Sequence, residues 1–438
     1  MKDKNCPRTG TIYCKDNQKF NFYLNDYTVT FMEPDYSEIQ LDGHFLFGQT
    51  FGFNSIAIYK GDSMPSFSGV KSLKTNAYLI AVENALGAKW DSFDSIEFTG
   101  GVLNSLFICD ALKFENMDNG DMIVHHQNTH KRWTFEIEDG CECELIIGSW
   151  IRHNSGTTGV SLTNNVVDMQ LKFSKPQSLE DAFRYVWKVK TALSIMVGRA
   201  NVTFDEIYLL HNKPGLSKLQ LFLKEEIAPV SKDFMRCITF YDLDTATPNL
   251  FSMVFNSKDA TPSYEIGFLP NSGKDFGLIS NEKIRLICSS LECELSFIKD
   301  LIQPEEENLQ KLIQSVKSFV KDHRNGNEQL SEKTYSLIFS SIRNWEISAS
   351  DRIWALYCQY RTEMEILNQT NMPIGDNEIS SFVKYRNSIT HGSYRVLNQE
   401  IAATAYLLQG LVYCCLLTRI GVDRDKVTLL CRNKKILS

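Results

Sequence analysis

The sequence is short of several things at once. It has no excess of positive charge: 46 Lys and Arg stand against 53 Asp and Glu, a formal net charge of −7. A protein that coats nucleic acid non-specifically is basic, so any nucleic-acid contact here must use a local patch. It has no run of eighteen apolar residues. The most apolar stretch, Ile401 to Ile420, carries Gln409 and Arg419, which predicts a core helix rather than a membrane span. The N-terminus, Met-Lys-Asp-Lys-Asn-Cys, lacks an apolar signal core. The twelve cysteines follow no framework spacing. Cys288, Cys358, Cys414 and Cys415 sit in apolar helical runs, as small buried hydrophobes of a reducing compartment do. The expectations are a cytoplasmic location and no membrane association. Enzyme motifs are missing too. Ser272-Gly-Lys274 runs into Asp275 and so fails as a P-loop. No Gly-x-Ser-x-Gly occurs, and Ser68-Gly-Val-Lys71 lies in a turn-rich stretch without companion motifs.

What is present is a change of period along the chain. Phe20–Leu24, Tyr27–Met32, Ile39–Leu46, Asn54–Tyr59 and Ala77–Val82 are short aromatic and branched runs separated by turn formers. Ser95–Thr99, Leu106–Cys109, Arg132–Ile137, Cys143–Gly148 and Val166–Phe173 read the same way, with Asp139-Gly140 as a hairpin turn. Ser178-Leu-Glu-Asp181 opens a helix that Gly198 stops. Val202–Leu210, Leu219–Leu223 and Cys237–Tyr241 read as further strands, and Thr245 to Lys274, rich in Pro, Ser, Asn and Gly, as a connection. From Asn281 onward the period is helical: Asn281–Leu301, Glu305–Asp322, Ser331–Trp345, Ser350–Asn368, Asn377–His391 and Asn398–Ile420. The expected fold class is α+β. Residues 1–175 form a β-rich, sandwich- or barrel-like domain, residues 176–275 a mixed continuation and connection, and residues 276–438 an all-α bundle.

The sharpest chemical candidate is Lys384-Tyr-Arg386-Asn387-Ser-Ile-Thr-His391-Gly392-Ser-Tyr394-Arg395. From Pro373 to Ser438 there are nine Lys and Arg against five Asp and Glu, so the local charge is positive in an acidic chain. Cutting RNA without a metal needs a proton carrier near neutral pKa, which a histidine supplies, and a cationic fork for the phosphate, which an arginine supplies. Five residues of helix turn through about 500°, which leaves Arg386 and His391 roughly 140° apart. The plainer reading is a basic helix face with a histidine near the negative end of the helix dipole. Glu292 and Glu294 read as a solvated face of the first bundle helix, with a place inside the bundle near the candidate site as the alternative. A second constellation is His125-His126-x3-His130 with Cys141-x-Cys143. Its spacing departs from the usual zinc pattern, so its first reading is structural, with a zinc-dependent hydrolase as the alternative. No metal and no cofactor are assigned.

The segment Arg-Asn-x-x-x-His-Gly at the end of a helix resembles the HEPN superfamily and its Arg-x(4–6)-His signature. The whole chain resembles the ApeA-type proteins of antiphage abortive infection, through Arg132-Trp133, through Pro176-Gln-Ser-Leu-Glu180 opening a helix that ends in Gly198-Arg199, and through Ser290-Leu-Glu292. The resemblance implies an endoribonuclease that is metal-independent and works as a homodimer or higher homo-oligomer, with two motifs facing each other. It implies attack by the ribose 2′-hydroxyl, leaving a cyclic phosphate and a 5′-hydroxyl. His391 would be the general acid/base, Arg386 the phosphate ligand and Asn387 an orienting group. Lys384, Tyr394 and Arg395 are added as RNA contacts. The partners expected are RNA, with tRNA and mRNA as candidate targets, and a phage-derived trigger acting through the β-rich part. The competing reading is a non-catalytic HEPN module that binds a nucleotide, RNA or a protein partner.

Overall fold

A computed structural model describes residues 7–13, 19–32, 44–60, 72–82, 91–107, 112–117, 122–126, 129–156, 159–211, 218–224, 236–257, 266–271, 275, 278–298, 301, 307–326, 330–346, 348–368, 372–392 and 396–434. The chain divides into two compact units, residues 1–197 with 201–261 and residues 198–200 with 262–438.

The first unit is built on strands β1 (Arg8–Tyr13), β2 (Lys19–Asn25), β3 (Thr28–Phe31), β4 (Phe45–Thr50), β5 (Ser55–Tyr59), β6 (Ser72–Lys74), β7 (Ala77–Ala81), β8 (Ser92–Thr99), β9 (Leu112–Asn116), β10 (Met122–His126), β11 (Thr129–Ile137), β12 (Cys141–Gly156), β13 (Gly159–Ser178), β14 (Glu206–Leu210) and β15 (Lys218–Leu223). Thirteen of them make one antiparallel ladder, in the order β11-β12-β13-β8-β14-β15-β7-β5-β4-β1-β2-β3-β6, while β9 and β10 pair separately. The ladder has two ends, so among the described residues it is not the closed ring of a barrel. The β11–β12 hairpin turns where its sequence says it should, through Glu138–Gly140, with Ile137 opposite Cys141. Ile12, Phe22, Leu24, Val29, Leu46, Ile58, Leu73 and Phe222 form one core of alternating strand residues.

Helix α1 (Leu103–Leu106) is a single turn. Helix α2 (Asp181–Val197) lays an aromatic ridge across the sheet: Phe183 meets Phe45 and Tyr59, and Tyr185 meets Phe93 and Phe173. Helix α3 (Phe240–Leu243) and helix α4 (Thr247–Phe255) follow β15, and α4 seats Phe251 and Phe255 on Phe135 of β11.

Three sequence expectations change here. Cys237–Tyr241 is no strand, because Thr239 caps α3 through the amide of Asp242, whose carboxylate accepts from Thr239 in return. Leu106 closes α1 rather than opening a strand, while Cys109 lies outside the described residues. The stretch from Thr245 to Lys274 is not all connection. Pro248 sits in the first turn of α4, where its missing N–H costs nothing, and Leu250, Phe251, Val254 and Phe255 are the buried stripe. Residues 39–43, read as the start of a strand, lie outside the described residues.

The second unit is helical: α5 (Asn281–Phe297), α6 (Glu307–Arg324), α7 (Glu332–Glu346), α8 (Ala349–Gln359), α9 (Arg361–Leu367), α10 (Asp376–Thr390), α11 (Gln399–Arg419) and α12 (Arg424–Lys434). Side chains cap the starts: Ser280 for α5, Ser348 for α8 and Asn398 for α11. The expected helix Ser350–Asn368 breaks at Tyr360 into α8 and α9. The basic C-terminal tail is a helix, α12, with Arg432 and Lys434 in its last turn. Helix α11 is apolar all round and buried nearly all round, because α5, α9, α10 and α12 surround it. That is the condition of a core helix. Helices α6 and α7 pair with each other over a small core of Ile313, Val320, Tyr335 and Ile342.

Candidate functional site

The site is carried by the last two turns of α10 and by the face of α5 beside them. Ile379, Phe382, Tyr385 and Ile389 are the buried stripe of α10, which sets the outward direction of the residues between them. Tyr385 is buried and donates to Asn281 Oδ1 at 2.8 Å. Lys384, Asn387, Thr390 and His391 are exposed, and Arg386 is half-buried toward α5. The helix is regular up to its end. His391 N–H still donates to Asn387 O at 3.1 Å, and Gly392 then turns with φ +80°, a left-handed value that favours glycine. His391 is therefore the capping residue of α10, and it is exposed.

Arg386 does not reach for His391. Its Nη2 donates to Glu292 Oε1 of α5 at 2.5 Å, and its Nη1 to Asn387 Oδ1 at 3.1 Å. Among the described residues no hydrogen bond joins Arg386 to His391, as the angle between positions five apart requires. Beneath the pair lies Cys288. Burial raises its thiol pKa to about 12, with Arg386 pulling down and Glu292 pushing up, so it stays protonated.

The two glutamates read as one solvated face have different fates. Glu292 is half exposed and meets Arg386; Glu294 is buried and holds Arg419 through two bonds of 2.9 and 3.1 Å. Two residues of helix turn through about 200°, so one carboxylate faces α10 and the other faces the core of the bundle. The surface pair is worth about 0.2–1 kcal/mol and can exchange partners. The buried pair is architectural, because losing one member strands a charge in the core.

Arg285, which no motif singles out, is the other member of the site. It lies two turns before Glu292 on the same face of α5, and its Nη2 donates to Ile389 O at 2.5 Å. That carbonyl also accepts from Gly392 N–H at 3.4 Å. Tyr394 and Arg395 lie outside the described residues.

The histidine and cysteine constellation does not assemble from its described members. Ile137 pairs with Cys141 and Phe135 with Cys143, so both thiols lie on the buried face of the β11–β12 ladder. His130 occupies the alternate position and is exposed on the opposite face. These three cannot share one ion. Burial pushes the Cys143 thiol up, and Cys141 and Glu144 add to it, the reverse of what a thiolate ligand needs. Cys141 contacts Ser174 Oγ and Gln177 Nε2 instead. His125 and His126 have their backbone in β10, and their side chains lie outside the described residues. Among the described residues no group of three metal-ligating side chains converges.

Comparison of the chain with protein-family models, curated proteins and solved structures finds no match.

Proposed function

We propose that the helical unit is a metal-independent endoribonuclease of the HEPN type whose reactive pair is Arg386 and His391, with the β-rich unit restraining or triggering it in response to phage infection. The observation that carries the reading is local. A histidine stands exposed at the very end of α10, and an arginine five residues earlier is held by a single, exchangeable carboxylate. His391 would take the 2′-hydroxyl proton or return one to the leaving 5′-oxygen. Arg386 would exchange Glu292 for the scissile phosphate and carry the charge that builds in the transition state. Asn387, already on Nη1 of Arg386, fixes the fork. Because the two side chains diverge on one helix, the complete site combines His391 of one copy with Arg386 of a second. A monomer should be inactive.

The competing reading, a binding module without catalysis, draws on the same ion pair, since a neutralised Arg386 suits a resting interface. RNA end chemistry separates the two. In cells carrying the wild-type protein under phage challenge, RNA fragments ending in 2′,3′-cyclic phosphate should accumulate. His391→Ala should lower them by about 10²–10⁴-fold, the usual share of a general acid/base. Equal fragments and equal phage resistance in both would remove the catalytic reading.

A further inference from the structure

We propose that Arg285 is a second phosphate-binding arginine of this site, a role that rests on the ribonuclease reading above. The case starts from where the motif stands. An anion is welcome at a helix N-terminus, where N–H groups point outward; His391 caps a C-terminus, where carbonyls point outward and the dipole is negative. A phosphodiester brought to His391 therefore meets a repelling end. The cation of the motif itself, Arg386, is offset by Glu292 at 2.5 Å. Arg386 alone leaves this corner close to neutral.

Arg285 changes the balance. Its guanidinium sits on the Ile389 carbonyl, two residues before His391, and so covers the negative helix end at the point where the substrate must approach. A guanidinium has five N–H donors, and this bond uses one. Arg285 is exposed, as are His391 and Lys384, so its remaining donors face the solvent from which RNA arrives. Arg285 and Glu292 lie seven residues apart on α5, hence on one face of it, and they meet the end of α10 at Ile389 and Arg386 respectively. The face of α5 thus brings one carboxylate that holds Arg386 back and one arginine that makes the helix end fit for an anion.

The test measures binding apart from cleavage. A 2′-O-methyl oligoribonucleotide cannot undergo 2′-hydroxyl attack, so it reports affinity for the full-length protein alone. Arg285→Gln should bind it about tenfold more weakly. The slope of log affinity against log salt should fall by about one, the signature of one lost phosphate contact. Arg285→Lys, which keeps the charge and a donor to Ile389, should hold the slope and recover most of the affinity. It also covers the case in which the glutamine variant folds poorly. If Arg386→Ala weakens binding while Arg285→Gln keeps wild-type affinity and slope, the inference is overturned and the ribonuclease reading stands. If Arg386→Ala also binds as wild type, the RNA site itself is wrong and Arg285 falls with it.

Discussion

One electrostatic device appears in both units of the protein and is used in opposite ways. In the β-rich unit, Lys188 of α2 reaches the end of α4 and donates to three carbonyls, Val254 O at 3.1 Å, Phe255 O at 2.8 Å and Ser257 O at 2.8 Å. In the helical unit, Arg285 of α5 reaches the end of α10 and donates to Ile389 O. Both place a cation on the negative end of a helix. Lys188 is 3% exposed, with three donors matched to three acceptors. Arg285 is exposed, and its single bond to Ile389 O leaves most of its fork open. The burial of the cation decides whether a cap is architecture or a binding surface. Intermediate in burial is Lys283, which donates to Leu269 O and, at 3.3 Å, to Gly267 O.

The largest effect should come from the buried end of this series. Lys188→Met keeps the apolar stem of the side chain and removes every donor, leaving Val254 O with only the Ser257 N–H at 3.4 Å and taking the ammonium from Phe255 O and Ser257 O. Each charged hydrogen bond is worth about 1.5–3 kcal/mol, and the methionine recovers part of that by relieving a buried charge. The net loss should be about 2–4 kcal/mol, read as a lower denaturation midpoint of the full chain. An unchanged midpoint would break the comparison at its structural pole.

How much of this arrangement can be read from the chain alone depends on sequence distance. The β11–β12 hairpin is local: alternation on both sides of Asp139-Gly140 announces it, and the register agrees. Helix α2 is equally local, with its start at Asp181 and its stop before Gly198. Helix α4 hides behind composition, since its Pro, Asn and Ser suggest a loop; the signals that decide it are Pro248 in the first turn and the Leu250–Phe251–Val254–Phe255 stripe. The Arg386–His391 stretch is legible because motif and helix end lie within a few residues. Its counterparts are not. Glu292 is 94 positions from Arg386, and Arg285 is 104 from Ile389. No periodicity within α5 says which of its outward residues will face α10. Packing of the two helices decides that, as it also separates Glu292 from Glu294.

Lys283 sharpens the middle of the series through pH. Burial pulls its pKa down from 10.5 to about 8, against the opposing pull of Asp275. Below pH 8 the folded and unfolded chains are both charged, and the cost of burying the ammonium is fully present. Between pH 8 and 10.5 the folded chain has given up a proton that the unfolded chain keeps. The contribution of this group to stability therefore rises with pH, by at most about 1.4 kcal/mol per pH unit. Between about pH 7.5 and about pH 9 the buried thiol of Cys288, raised to about 12, opposes this gain in wild type and variant alike, so the difference between the two isolates Lys283. Wild type should gain stability across that interval relative to Lys283→Met. Parallel pH dependences would show that Lys283 is solvated like a surface lysine.

The smallest stability effect should belong to the residue with the largest proposed binding effect. Arg285→Gln removes a charge from an exposed helix end, where such a contact contributes about 0.3–1 kcal/mol. The denaturation midpoint should move by a fraction of the Lys188→Met shift, while RNA affinity falls about tenfold. The two numbers should run in opposite order for the two cations, because Lys188 spends its donors on the protein and Arg285 keeps most of its donors for a ligand. If Arg285→Gln destabilises the chain as strongly as Lys188→Met, the two caps are the same kind of object, and the exposed guanidinium beside His391 is there to hold α10 in place rather than to meet a phosphate.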